Sequence, residues 1–246
     1  MIEGLAPIAK LKHLKYLDIN GKPSDDPAFP NWLSDNITTS LEDLRLSDLK
    51  SLPPAIGKFK HLTSLIQNKI ESTEVPESIG SLTALRQLLL FGPNRPVTLP
   101  ASFSSLTALE KLCLRAQMDD IGPLQHLTRL KLLDFEVPED ETLPYPDFLW
   151  NMTSLTALQL LYHSLDELPT EIANLKQLKF LQLDMNEIEE IPSSIGDLCA
   201  LTELRMWNSP QLQTLPESLS NLSRLKVLSF KSCSSLQTLP ASIGNL

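Results

Sequence analysis

One pattern recurs along this chain roughly every 23 residues, a period in the range of stacked repeat architectures. Its clearest copy is Leu178-Lys179-Phe180-Leu181-Gln182-Leu183, followed by Asn186, then Ile191-Pro192, Ile195 and Leu198. Ten copies superimpose when each starts at the first leucine of Leu-x-x-Leu-x-Leu, at Leu14, Leu41, Leu62, Leu85, Leu109, Leu130, Leu155, Leu178, Leu201 and Leu225. A unit this short cannot bury its own apolar face, so each copy must pack on the next. Residues 1–246 are therefore expected to form a single elongated domain, a curved right-handed α/β solenoid. The chain stops at Leu246 within a copy, so the expectation is a domain incomplete at its C-terminus, with residues 225–246 prone to fray or self-associate through an uncovered edge.

The second and third leucines of Leu-x-x-Leu-x-Leu are two residues apart, the period at which side chains return to one face of a strand. In the eighth copy Leu181 and Leu183 are predicted to point inward, with Phe180, Gln182 and Asp184 outward. Stacked copies would pair these strands in parallel. After the strand a small polar side chain, Asn186 or in the last copy Cys233, is placed to bond backbone freed by a turn.

The chain then returns through Leu-Pro or similar steps at Pro53, Pro76, Pro100, Pro144, Pro169, Pro192, Pro216 and Pro240. Proline holds the preceding residue extended and is tolerated at a first helical position. The following Pro-x-x-Ile-Gly-x-Leu, as in Pro76–Leu82 and Pro192–Leu198, reads as about one helical turn on the convex side, with glycine permitting a bend. Three places break the pattern. Gly21–Pro27 is an insertion followed by an apolar patch at Phe29, Pro30, Trp32 and Leu33; Met118–Pro123 lacks the Leu-Pro step; Pro138–Thr142 is a bulge.

Composition narrows the function. The 30 acidic against 21 basic residues give a formal charge of -9, which repels phosphate backbones, so no nucleic-acid partner is expected. Residues 201–246 are a mild exception, with Arg205, Arg224, Lys226 and Lys231 against Glu203 and Glu217. No apolar run is long enough for a signal peptide or a membrane span, so a cytoplasmic location without membrane insertion is the expectation. Sequons at Asn36, Asn151 and Asn221 would matter only in a secreted chain.

Chemistry finds little to work with. His13, His61, His126 and His163 lie in separate copies with no nucleophile and orienter arranged around them, so no catalytic residue and no enzyme is expected. Cys113, Cys199 and Cys233 have neither disulfide-framework nor metal-ligand spacing. Cys113 is read as an outward surface thiol beside Lys111 and Arg115. The acidic set Asp134, Glu136, Glu139, Asp140 and Glu141 lacks the ligand order of a calcium loop and reads as a solvated loop lending one edge negative potential. Neither a metal nor a cofactor is expected.

These repeats resemble the leucine-rich repeat superfamily, over essentially the whole chain, which implies a horseshoe with a concave parallel sheet. The recurring Leu-Pro-x-x-Ile-Gly-x-Leu, and Ser234–Leu246 after Cys233, are similar to repeats of plant-type intracellular disease-resistance proteins, the nucleotide-binding leucine-rich repeat class. Repeats of small-GTPase-associated proteins are similar too. Plant extracellular receptors usually carry Leu-x-Gly-x-Ile-Pro after the asparagine, whereas Asn186 is followed by Glu187, Ile188 and Glu189. No phosphate loop of Gly-x-x-x-x-Gly-Lys-Ser/Thr type occurs in the chain.

Function is expected on the outward strand positions, which are free to vary without disturbing the core. The central lane runs Asp18, Arg45, Ile66, Leu89, Cys113, Asp134, Gln159, Gln182, Arg205 and Ser229. The following lane includes Phe91, Arg115, Glu136, Leu161, Trp207 and Lys231, and the preceding one Tyr16, Lys111, Leu132, Phe180 and Val227. Aromatic and arginine anchors dominate protein interfaces. The candidate protein-binding residues are Phe91, Arg115, Asp134, Glu136, Leu161, Phe180, Gln182, Arg205 and Trp207, with Phe180, Arg205 and Trp207 as the centre. The resemblance implies a ligand-sensing or autoinhibitory region of an immune receptor, binding a protein or another domain of its own chain on the concave face. A stand-alone signalling scaffold and the substrate-recognition arm of a multidomain ubiquitin ligase are the alternatives.

Overall fold

A computed structural model describes residues 11–20, 35–47, 51–68, 74–92, 97–115, 120–136, 147–162 and 165–246. The insertion at residues 21–30, Trp32, Leu33, the bulge at 138–142, the Leu143-Pro144 step, Met118, Asp119 and His163 lie outside them. The chain divides into two compact units, Met1–Leu130 and Lys131–Leu246.

In the first unit, strands β1 (Tyr16–Ile19), β2 (Asp43–Ser47), β3 (Ser64–Asn68), β4 (Gln87–Phe91) and β5 (Lys111–Arg115) follow one another in a parallel sheet. The second unit repeats the plan with β6 (Leu132–Glu136), β7 (Ala157–Leu161), β8 (Phe180–Gln182), β9 (Glu203–Arg205) and β10 (Val227–Ser229). A short α-helical turn, Asp35–Thr38, precedes β2. The later returns are five-residue 3-10 turns, among them Glu77–Ser81 and Ala101–Ser105 in the first unit and Ser193–Asp197 and Glu217–Asn221 in the second. Each unit is a stretch of the curved, all-parallel solenoid that the repeat predicts.

Period two places the core as expected. Leu44 and Leu46 are 0% and 1% exposed, and Leu181 and Leu183 are fully buried. Just before a strand one carbonyl accepts two amides of the following repeat in both units: Lys179 O takes Thr202 N at 2.8 Å and Glu203 N at 3.0 Å, and Thr63 O takes Arg86 N at 2.8 Å and Gln87 N at 3.0 Å. The Thr202 hydroxyl donates to the Lys179 carbonyl as well, at 2.8 Å. Backbone groups that one repeat cannot satisfy are thus met by its neighbour.

The convex returns differ from expectation in two details. The proline of the Leu-Pro or similar step sits one residue before the turn rather than inside it: at Pro53, Pro76, Pro100, Pro169, Pro192, Pro216 and Pro240 the backbone is extended, with φ between -74 and -60 and ψ between 143 and 156, and only the additional Pro54 and Pro123 lie within described turns. The carbonyl of the step proline accepts the first turn bond, as Pro76 O does from Ile79 N at 2.9 Å. Glycine, in turn, is required by proximity rather than by a bend. A Cβ on Gly80 would lie 2.3 Å from the Ser102 carbonyl oxygen and one on Gly196 would lie 2.4 Å from that of Ser218, and neither glycine adopts positive φ. The serine that fills this space also bonds backward, Ser102 Oγ donating to Glu77 O at 2.7 Å and Ser218 Oγ to Ser193 O at 2.6 Å.

Where the Leu-Pro step is missing, Asp120 replaces it: its Oδ1 accepts the Gly122 amide at 2.7 Å at the head of the turn Gly122–His126.

Candidate functional site

Strand register lines up the outward lanes of each unit as the sequence predicts. In the first unit Tyr16 pairs with Asp43 and Asp18 with Arg45, while Phe91 faces Arg115. In the second, Phe180 pairs with Glu203, and Gln159, Gln182 and Arg205 are successive partners in the central lane.

The second unit gathers Phe180, Gln182, Arg205 and Trp207. The Arg205 guanidinium lies 5.7 Å from the Phe180 ring centroid and 5.3 Å from that of Trp207, between two aromatic faces that attract it. Glu203, two residues before it on the same strand, forms an ion pair with the arginine. Trp207 is pinned at both ends: its indole N–H donates to Ser229 Oγ at 2.8 Å and its amide to Asp184 Oδ1 at 2.8 Å. Asp184 is only 6% exposed, not outward as the period predicts, because its carboxylate folds onto that amide and also accepts from Gln182 Nε2. The platform is therefore half-buried, rigid and preorganised, which lowers the ordering cost of binding.

The turn after β8 explains why Trp207 is held so firmly. Met185, Asn208 and Ser232 take left-handed backbone at φ 57, 53 and 59, one residue before Asn186, Ser209 and Cys233. Asn186, 1% exposed, donates to Leu160 O at 3.0 Å and Asp184 O at 3.1 Å and accepts from Leu165 N at 3.1 Å. Ser209 reaches back to Leu183 O at 3.5 Å and the Cys233 thiol to Met206 O at 3.0 Å. Partial burial pushes the Cys233 thiol pKa up, which suits a buried donor rather than a nucleophile.

The other candidates fall in separate places. Phe91 is half-buried and exposed Arg115 lies over its ring at 5.4 Å. Leu161 and Glu136 are half-buried neighbours across β6 and β7. Asp134 departs from the solvated-loop reading: it lies within β6 and is 7% exposed, since a central-lane side chain is walled in by both flanking lanes. Glu139, Asp140 and Glu141 lie outside the described residues. Cys113 is likewise buried, 6% exposed, rather than a surface thiol.

Two features escaped the sequence reading. Tyr16 and Arg45 form a stacked pair at 5.2 Å, with Asp43 opposite the ring, and Lys231 lies 5.7 Å from the Trp207 ring centroid. Both pairs join residues more than 20 positions apart, so they become visible only once strand register is fixed.

His13, His61 and His126 are exposed. Among the described residues no group of three or more His, Cys, Asp or Glu could hold a metal ion, and no helix is long and apolar enough to cross a membrane.

Parallel strands one per repeat, 3-10 returns and a polar ladder after the strand define a leucine-rich repeat solenoid. The chain belongs to the leucine-rich repeat region family, whose model matches residues 3–145 and 133–246. No curated protein matches the chain. Among solved structures, a leucine-rich repeat protein of Leptospira interrogans is 26% identical with a TM-score of 0.64, over 95% of this chain and 67% of that one. The leucine-rich repeat ectodomain of the plant membrane receptor kinase GASSHO1/SCHENGEN3 from Arabidopsis thaliana is 21% identical with a TM-score of 0.65, over 98% of this chain but 32% of that one. Internalin C2 of Listeria monocytogenes is 23% identical with a TM-score of 0.65, over 83% of this chain and 93% of that one.

The expectation of a cytoplasmic chain is overturned by these matches, which include the ectodomain of a membrane receptor. The missing Leu-x-Gly-x-Ile-Pro motif therefore does not assign a compartment.

Proposed function

We propose that this chain is a protein-recognition module whose binding centre is the Phe180–Arg205–Trp207 platform. The observation that carries this reading is the guanidinium held between two half-buried rings on the outward face, where the solenoid itself needs no aromatic residue. Aromatic and arginine anchors in a preorganised setting are the side chains that concentrate binding energy in protein interfaces. Gln182 belongs to the same centre, and Phe91, Arg115, Asp134, Glu136 and Leu161 are assigned as further contact positions on their own strands.

The matched relatives support the general reading of a protein-binding repeat domain. The finer one, a ligand-sensing or autoinhibitory region of a disease-resistance type receptor, rests on the Leu-Pro-x-x-Ile-Gly-x-Leu returns. The test is a pull-down with Phe180→Asp and Trp207→Asp, each checked for an unchanged thermal transition. Loss of the captured partner with both variants is expected. Wild-type capture by both would move the interface elsewhere, with the Asp134 and Glu136 strand as the next candidate.

A further inference from the structure

The charges around the platform leave one cation open. Glu203 and Arg205 neutralise each other within β9. Asp184 is buried, with its oxygens taken by the Trp207 amide and the Gln182 side chain. Glu217, the other carboxylate of residues 201–246, lies on a convex return, where it accepts from Ala241 N and Ser242 N at 3.0 Å each. Lys231 remains exposed beside the Trp207 ring, with no carboxylate within ion-pair distance among the described residues. Its backbone is fixed, its carbonyl accepting from Asn208 N at 2.8 Å.

We infer that the partner segment presents an Asp or Glu side chain next to an apolar one, the carboxylate seated on Lys231 Nζ and the apolar group covering Trp207 and Phe180. This rests on the platform being the binding centre. Charge complementarity supports it: within a chain of formal charge -9, residues 201–246 hold four cations against two carboxylates, and Lys231 is the member placed at the platform. The indole face beside the ammonium excludes water on one side, so a carboxylate arriving there is less screened than on an open surface. A wholly acidic ligand is disfavoured, because beyond this patch the chain repels it.

The experiment titrates the full chain with three short, terminally blocked fluorescent peptides that alternate leucine with glutamate, glutamine or lysine, and with a single-stranded oligonucleotide. Anisotropy gives the affinities. The expected order is glutamate over glutamine over lysine. Lys231→Met should weaken the glutamate peptide roughly threefold, the scale of a partly exposed ion pair, and Lys231→Glu should reverse the order, while the glutamine peptide is unaffected by either. If Trp207→Asp abolishes binding of every peptide but Lys231→Glu leaves their order unchanged, the charge inference is overturned and the platform stands. If the glutamate peptide binds equally well to Trp207→Asp, the carboxylate is read elsewhere and the inference falls. Preference for the oligonucleotide over all three peptides overturns it too.

Discussion

Among the described residues, an arginine leaning back over an aromatic ring of the previous repeat, with an acid directly opposite that ring, occurs in both units. Tyr16, Asp43 and Arg45 form it in the first, and Phe180, Glu203 and Arg205 in the second. The surroundings differ. Asp18, which accepts the Tyr16 hydroxyl at 3.0 Å, stands where the second unit has Gln182, and Ser47 and Asn68 stand where it has Trp207 and Lys231. The first copy is thus a stacked pair whose second acid lies in the central lane rather than beside a tryptophan amide, with no second ring. A cation on a ring is a way to satisfy an outward arginine; it becomes a platform only where another aromatic side chain continues it.

The core should not distinguish the two units, and that is the largest effect to test. Leu44→Ala and Leu181→Ala should each destabilise by about 2–5 kcal/mol, as fully buried leucines do, measured by chemical denaturation. A value below that range in one unit alone would break the equivalence of their cores. The next contrast is on the convex side. Gly80→Ala and Gly196→Ala should each cost about 1–3 kcal/mol, the range for overpacking, because their Cβ atoms would strike the neighbouring serine carbonyl. Gly244, with nothing within 4 Å of its Cβ position, is the internal control and should accept alanine with little change.

Binding should then separate the two copies. Trp207→Asp is expected to cost roughly 2 kcal/mol or more of partner affinity, a hot-spot value, while Ser47→Asp at the matching position leaves affinity unchanged in the same pull-down. Equal losses would mean that both copies bind. The smallest effect is pH dependence in the return Ala241–Asn245. Hydrogen bonds from the Ser242 hydroxyl and from the Ser242 and Ala241 amides hold the Glu217 carboxyl below its ordinary value of 4.5. Its contribution is therefore present above that value and lost as pH falls through the lower folded one. Amide exchange at Ala241 and Ser242 should quicken on acidification relative to Ser102, whose amide meets Glu77 only at 3.4 Å, and Glu217→Gln should remove the difference.

Much of this was legible in the sequence because leucines at period two dictate which face is buried, and equal offsets from them dictate register. Asn186 was legible for the same reason: a buried amide at a fixed offset must bond backbone. The left-handed residues were not, since Met185 and Ser232 carry no preference for positive φ and are held there by the ladder residue that follows. Nor was the burial of Cys113 and Asp134, which depends on how far neighbouring lanes lean over them. The Tyr16–Arg45 pair and Lys231 over Trp207 required a known register. Compartment was not legible, because neither the lack of a signal-length apolar run nor the missing Leu-x-Gly-x-Ile-Pro motif carries it.

The contact at Gly80 also bears on geometry at a distance from it. On the concave side β4 and β5 are tied in register by backbone hydrogen bonds, while on the convex side the returns Glu77–Ser81 and Ala101–Ser105 approach as closely as a missing Cβ allows. A methyl placed there would act as a wedge on one side of a hinge, opening the outer edge while the inner edge stays fixed. Local bend is thus written into single glycines, and a lineage could tighten the arc at a chosen repeat by one substitution without touching a residue that meets the partner.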